Sequence, residues 1–96
     1  MDSHDQRFVP DSFLTLYRGP AGRLRIDGGT LMARYELCED MAQMLCPTAQ
    51  GLCAQVGADA NEAAAHLVRV ASGEADTLSE AEWDWVRQRL AELAAS

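Results

Sequence analysis

Apolar residues recur with a helical period along most of this chain. Leu31, Tyr35, Cys38, Ala42 and Leu45 follow one another at steps of three and four, the spacing that lines one face of an α-helix. Leu37, Met41 and Met44 widen that stripe on one side. The apolar arc then covers roughly half of the circumference, wider than the ~100° of an ordinary surface helix. Such a helix lies at the centre of its domain or is shared with a partner. Glu36, Glu39, Asp40 and Gln43 form its wet side. Pro47 has no N–H and its ring crowds the preceding turn, so it is expected to end the helix at about residue 46 and to open a short one over Thr48 to Val56, closed by Gly57.

Two further helices carry start signals. Asp59-Ala-Asn-Glu62 has capping-box spacing and predicts a helix from Ala60 to about Ser72, with Ala63, Ala64, Leu67, Val70 and Ala71 inward and Gly73 closing it. Ser79-Glu-Ala-Glu82 is a fuller capping box, opening a helix that runs to about Ala95. Val86, Leu90 and Leu93 fall on one line of it, with Trp83 at the edge. Thr30, after Gly28-Gly29, is placed as the N-cap of the long helix.

The N-terminal third is less regular. Residues 1–9 are polar and expected to be flexible. The run Pro10-Asp-Ser-Phe-Leu-Thr-Leu-Tyr17 starts a short helix with Asp11 or Ser12 as cap. Residues 18–29, rich in Gly and Arg, read as a loop. Leu24 and Ile26 alternate with Arg23, Arg25 and Asp27, which leaves open a hairpin between 13–17 and 23–27. The whole predicts an all-α fold: one domain over residues 1–96, a small compact bundle of about four helices with an irregular N-terminal segment, and helix 30–46 at its centre.

Composition narrows the function. Ninety-six residues allow one core. All eight basic residues are arginine, and there is no lysine. A phosphate-binding P-loop needs a lysine in a glycine-rich run, so that site is excluded. A net charge of −7 argues against a nucleic-acid partner. No apolar run approaches the ~20 residues of a membrane span, and Met1 to Arg7 lacks the basic and apolar regions of a secretory signal. A cytoplasmic location without membrane contact is therefore expected.

The chemistry-bearing residues form no catalytic motif. Cys38, Cys46 and Cys53 are spaced C-x7-C-x6-C, with no close pair of the kind zinc sites use. They read as reduced core thiols, and no metal or other cofactor is expected. Convergence of the three with His66 stays open, while His4 falls in the terminal stretch. Glu36, Glu39 and Asp40, like Glu80, Glu82 and Asp84, read as solvated helix faces, the last group near a helix N-terminus that favours them. Trp83 and Trp85, two apart, cannot share a face. Trp85 has two readings: partly exposed and stacked on Arg89, an aromatic–arginine pair suited to an interface, or covered by another segment such as the N-terminal Phe8 and Phe13 region. Arg18, Arg23 and Arg25 cluster in the loop and could grip a phosphate or an acidic partner. The candidate interface residues are therefore Trp85, Arg89, Arg18, Arg23 and Arg25.

Three stretches together resemble a family of small bacterial proteins labelled "ATPase with chaperone activity". They are Pro10-Asp-Ser-Phe-Leu-Thr-Leu-Tyr17, Ala33-Arg-Tyr-Glu-Leu-Cys-Glu-Asp-Met-Ala-Gln-Met-Leu45 and Ser79-Glu-Ala-Glu-Trp-Asp-Trp-Val-Arg-Gln-Arg-Leu-Ala-Glu-Leu93. The resemblance implies no site residues, and without lysine or a phosphate loop the chain departs from what an ATPase of the common kinds needs. The expected function is a small protein-binding or regulatory module without catalytic activity, acting on another protein or on itself as a homodimer. The alternatives are a helix-turn-helix DNA-binding regulator built on helices 60–72 and 80–95, a cysteine-based metal or redox protein, and an acidic mimic of nucleic acid.

Overall fold

The computed structural model describes residues 9–95, so the flexible stretch expected over 1–9, His4 included, lies outside them apart from residue 9. Four α-helices follow in order: α1 (Asp11–Leu14), α2 (Gly28–Val56), α3 (Ala60–Glu74) and α4 (Glu80–Ala95). Two 3-10 turns, Thr15–Tyr17 and Pro20–Gly22, separate α1 from α2. The predicted all-α bundle is what the chain forms. Ion pairs join Arg34 to Glu82 and Glu39 to Arg89. The residue numbers of both partners rise together, so α2 and α4 run in the same direction. Short connections then make α3 the antiparallel helix of an up–down–up bundle.

The caps show how local sequence sets the ends. Asp27, rather than Thr30, caps α2: its carboxylate accepts from the Thr30 backbone N–H and hydroxyl, each at 2.9 Å. Asp is as good a cap as any residue, and its position before the two glycines lets the helix start three residues early. α1 has no side-chain cap; the Pro10 carbonyl accepts from Phe13 and Leu14 instead of Asp11 or Ser12 serving. Asp59 and Glu62 complete the capping box of α3. Gly57 ends α2 in the left-handed region, at φ 75°, where glycine carries no Cβ penalty. Gly73 does not end α3, which runs on to Glu74.

Pro47 does not break the long helix. α2 continues through it for 29 residues. The ladder bond that Pro47 cannot donate would go to the Gln43 carbonyl, and both Gln43 and Pro47 are exposed, on the side where losing a bond costs least. On the inner face Ala42, Leu45, Cys46 and Ala49 pack in one unbroken row across the proline. Burial of that row outweighs the local preference to stop.

α2 is not the centre of the bundle. α4 packs on α1, α2 and α3 and buries Glu82, Trp83, Trp85, Val86, Leu90 and Ala91. The predicted α2 stripe does face inward, with Leu31, Cys38 and Ala42 buried, but Leu37 and Met44 on the other side stay exposed at 39% and 64%. Alanines 42, 49, 63 and 64 are at most 1% exposed. Having no side chain beyond Cβ, they let the helices approach closely while each buries little surface.

The hairpin alternative is realised only in part. Arg18 and Leu24 form an isolated antiparallel bridge, flanked by bonds from the Gly19 N–H to the Arg23 carbonyl and from the Arg25 N–H to the Tyr17 carbonyl. Ala21 and Gly22 turn the chain with φ of 70° and 78°. No strand forms among the described residues.

Phe13 fixes the N-terminal segment to this frame. It is fully buried, with its ring centroid 5.7 Å from Tyr17, 5.6 Å from Tyr35 and 5.3 Å from Trp85. Phe13→Ala should therefore destabilise the fold by about 3–5 kcal/mol. Urea unfolding followed by circular dichroism checks this; a loss under about 1 kcal/mol would show that the aromatic cluster does not hold the segment.

Candidate functional site

Two polar constellations join α2 to α4. The first is centred on Glu82, the only charged residue buried among the described ones, at 1% exposure. As the N3 residue of the α4 capping box it accepts from the Ser79 N–H at 2.9 Å, while its own N–H donates to Ser79 Oγ at 3.1 Å. The Arg34 guanidinium then grips both carboxylate oxygens, through Nε at 2.9 Å and through Nη2. Tyr17 donates its hydroxyl to Oε2. Arg34 Nη2 also donates to the Thr77 carbonyl at 2.8 Å. One carboxylate thus ties together the N-terminal segment, α2, the α3–α4 connection and α4.

Burial alone would raise the Glu82 pKa. The fork from Arg34, with the bonds from Tyr17 and Ser79, outweighs burial and pulls it down to about 2. Burial, and then the bond to the Glu82 carboxylate, raises the Tyr17 phenol. Arg34 is raised as well, chiefly by its bonds to Glu82. The charges here are fixed and matched, so the knot is structural in character, with no group poised to exchange a proton near neutrality.

The second constellation is on the surface side. Arg89 grips Glu39 through Nε at 2.9 Å and Nη2 at 3.0 Å, and Gln43 donates to the same carboxylate at 2.8 Å. Burial opposes ionisation of Glu39, but the bonds from Arg89 and Gln43 lower its pKa overall. Glu39 is therefore not the free wet-face residue its helix position implied. Arg87 and Asp84 form an exposed pair three residues apart, the kind that adds little stability.

Trp85 is buried, at 5%, so the interface reading gives way to the covered alternative, with Phe13 as the cover; Phe8 lies outside the described residues. Phe13 covers it edge-on, Tyr35 lies 5.7 Å away, and its indole N–H donates to Ser12 Oγ at 2.9 Å. It does not use Arg89 as a stacking partner offered to solvent, because that guanidinium is held by Glu39. The two residues do meet at the wall of a surface cavity of about 410 Å³, with Pro10, Ser12, Tyr35 and Glu92. Its polar groups are already engaged: Ser12 with Trp85, and Arg89 with Glu39 and Glu92.

The loop arginines separate. In an antiparallel bridge the two facing residues project to the same side and their neighbours to the other. Arg18 therefore sits with the exposed Leu24, and Arg23 with Arg25, on opposite sides of the loop. Arg25 donates to the Leu16 carbonyl at 2.8 Å. The three do not make one anion-binding cluster. Cys38 is buried, Cys46 and Cys53 are half-buried, and His66 is exposed; among the described residues no group of three metal-ligating side chains forms.

Sequence spacing missed Arg34 and Tyr17. The capping box marked Glu82, but nothing local distinguishes a carboxylate that a partner 48 residues away will bury. A hint lies in the position of Arg34, beside the apolar stripe rather than opposite to it.

The folded-state pKa of Glu82 lies below its ordinary value of 4.5. Its contribution is therefore complete above about pH 4.5 and is lost as pH falls toward about 2, amounting to roughly 3 kcal/mol. Unfolding titrations across that window should show this fall, and Glu82→Gln should flatten it; an unchanged slope in the variant would place the acid sensitivity elsewhere. Burial first, and then the negative Glu82, pushes the Cys38 thiol up to about 12. Thiol titration at neutral pH should accordingly label Cys46 and Cys53 in the native protein, and Cys38 only after unfolding; rapid native labelling of Cys38 would contradict its burial.

Among the described residues no helix is long and apolar enough to cross a membrane. Comparison with family models, with curated proteins and with solved structures finds no match for this chain.

Proposed function

We propose that this chain is a non-catalytic protein-binding module whose contact face is the outer side of α2. The observation that carries this reading is the exposure of Leu37 and Met44, two helical turns apart, at the outer edge of the α2 apolar arc whose centre, Leu31, Cys38 and Ala42, is buried. Exposed single apolar side chains are ordinary, but two large ones two turns apart on a bundle's longest helix share one edge of it. Asp40 and Glu36 flank it, which favours a partner that brings apolar side chains rimmed by arginine or lysine. Three free thiols fit a reducing compartment such as the cytoplasm.

A DNA-binding role for α3 and α4 has less support. The side of α4 open to solvent carries Glu80, Asp84 and Glu92, and Arg87 and Arg89 are both paired with carboxylates. That surface would repel phosphate.

The double substitution Leu37→Asp and Met44→Asp should abolish association while leaving helicity and unfolding midpoint near those of the parent. Native mass spectrometry of both forms, gently purified from the protein's own host, reads the result. A complex present for the parent, whether with a second copy or another polypeptide, and absent for the variant is the expected outcome; equal complexes for both would remove the α2 face as the contact surface.

A further inference from the structure

We infer that Pro47 is a hinge that lets the last part of α2, residues 48–56, open locally from the bundle while the first part stays in place. The two parts of the helix are held by different means. Before the proline, Arg34 and Glu39 make paired bonds to α4, and Leu31, Cys38 and Ala42 are buried. The described side-chain hydrogen bonds and ion pairs of α2 all fall in this part. After the proline, among the described residues, no side-chain hydrogen bond or ion pair holds the helix, and its packing is apolar. Ala49 is the one fully buried residue there, Leu52 and Cys53 are half-buried, and Val56 is 70% exposed.

The backbone is weakest at the same place. Pro47 removes one bond of the helical ladder and crowds the turn before it. Gly51 follows one turn later and adds freedom to the open chain that alanine would not. Gly57 then ends the helix in a conformation that needs no ordered side chain. Few buried contacts, a missing ladder bond and a flexible residue are the properties of a unit that opens below the global unfolding limit. Opening at Pro47 would bare Ala49, Leu52 and Cys53 together with the surface of α3 that packs on this segment, a second apolar strip distinct from Leu37 and Met44. The hinge does not depend on the binding role proposed for that outer face.

Amide hydrogen exchange of the full chain, resolved by residue, tests it. Amides of residues 48–56 should exchange roughly tenfold or more faster than those of residues 35–43. Pro47→Ala should slow the former roughly tenfold or more and leave the latter unchanged. Gly51→Ala, where an added Cβ meets nothing within 4 Å, should slow the same segment by about fivefold without touching the hinge. Equal protection on both sides of Pro47 in the parent would overturn the proposal. So would a difference that survives Pro47→Ala, because the segment would then be fraying from Gly57 instead of opening at the proline.

Discussion

The architecture depends on one buried carboxylate. Glu82 is almost fully withdrawn from water, and burying a charge without matched partners costs several kcal/mol. Arg34, Tyr17, Ser79 and its own helix start supply those partners from separate parts of the chain. Each must be in position for the charge to be tolerated. A shift of α2 along α4 by one turn would take Arg34 away and leave the buried Glu82 carboxylate without its cation, so the knot disfavours other registers of the same helices. Arg89 and Glu39 repeat the constraint further along the same helix pair, which fixes both the register and the parallel sense of α2 and α4.

The aromatic cluster explains why the N-terminal segment belongs to the fold. An alanine-rich bundle encloses little apolar surface per residue. Phe13 packs against both Tyr35 of α2 and Trp85 of α4, which also touch each other, and supplies one of the largest fully buried side chains among the described residues. Tyr17, one turn further on, spans both systems, packing on Phe13 and donating to Glu82. Covering Trp85 in this way removes a large aromatic from the surface, while Leu37 and Met44 of α2 stay exposed.

α2 thus has three faces of different character. Its inner row is closed against the bundle, its outer strip is apolar and open, and its C-terminal part is held loosely beyond Pro47. This division follows from helix geometry, because an apolar arc of about half the circumference is more than α3 and α4 can cover.

Much of the fold was legible in the chain. Helical spacing and capping boxes located α3 and α4, because these signals involve residues three and four apart that meet within one turn. The absence of lysine is enough on its own to exclude the phosphate loop. Three assignments needed the tertiary structure, each for the same reason. Pro47 reads as a break because its local cost is visible, while the packing row that overrides it belongs to facing helices. Trp85 could be read as exposed or covered, because its cover, Phe13, lies far back in the sequence. Glu82 reads as a surface cap because its charge partner is on another helix. Sequence by itself determined where α3 and α4 form and that no lysine-bearing phosphate loop is present. Only the tertiary structure decided which polar groups are buried and which apolar ones are left outside, since burial is a property of contacts between distant segments and leaves no periodic trace in either one.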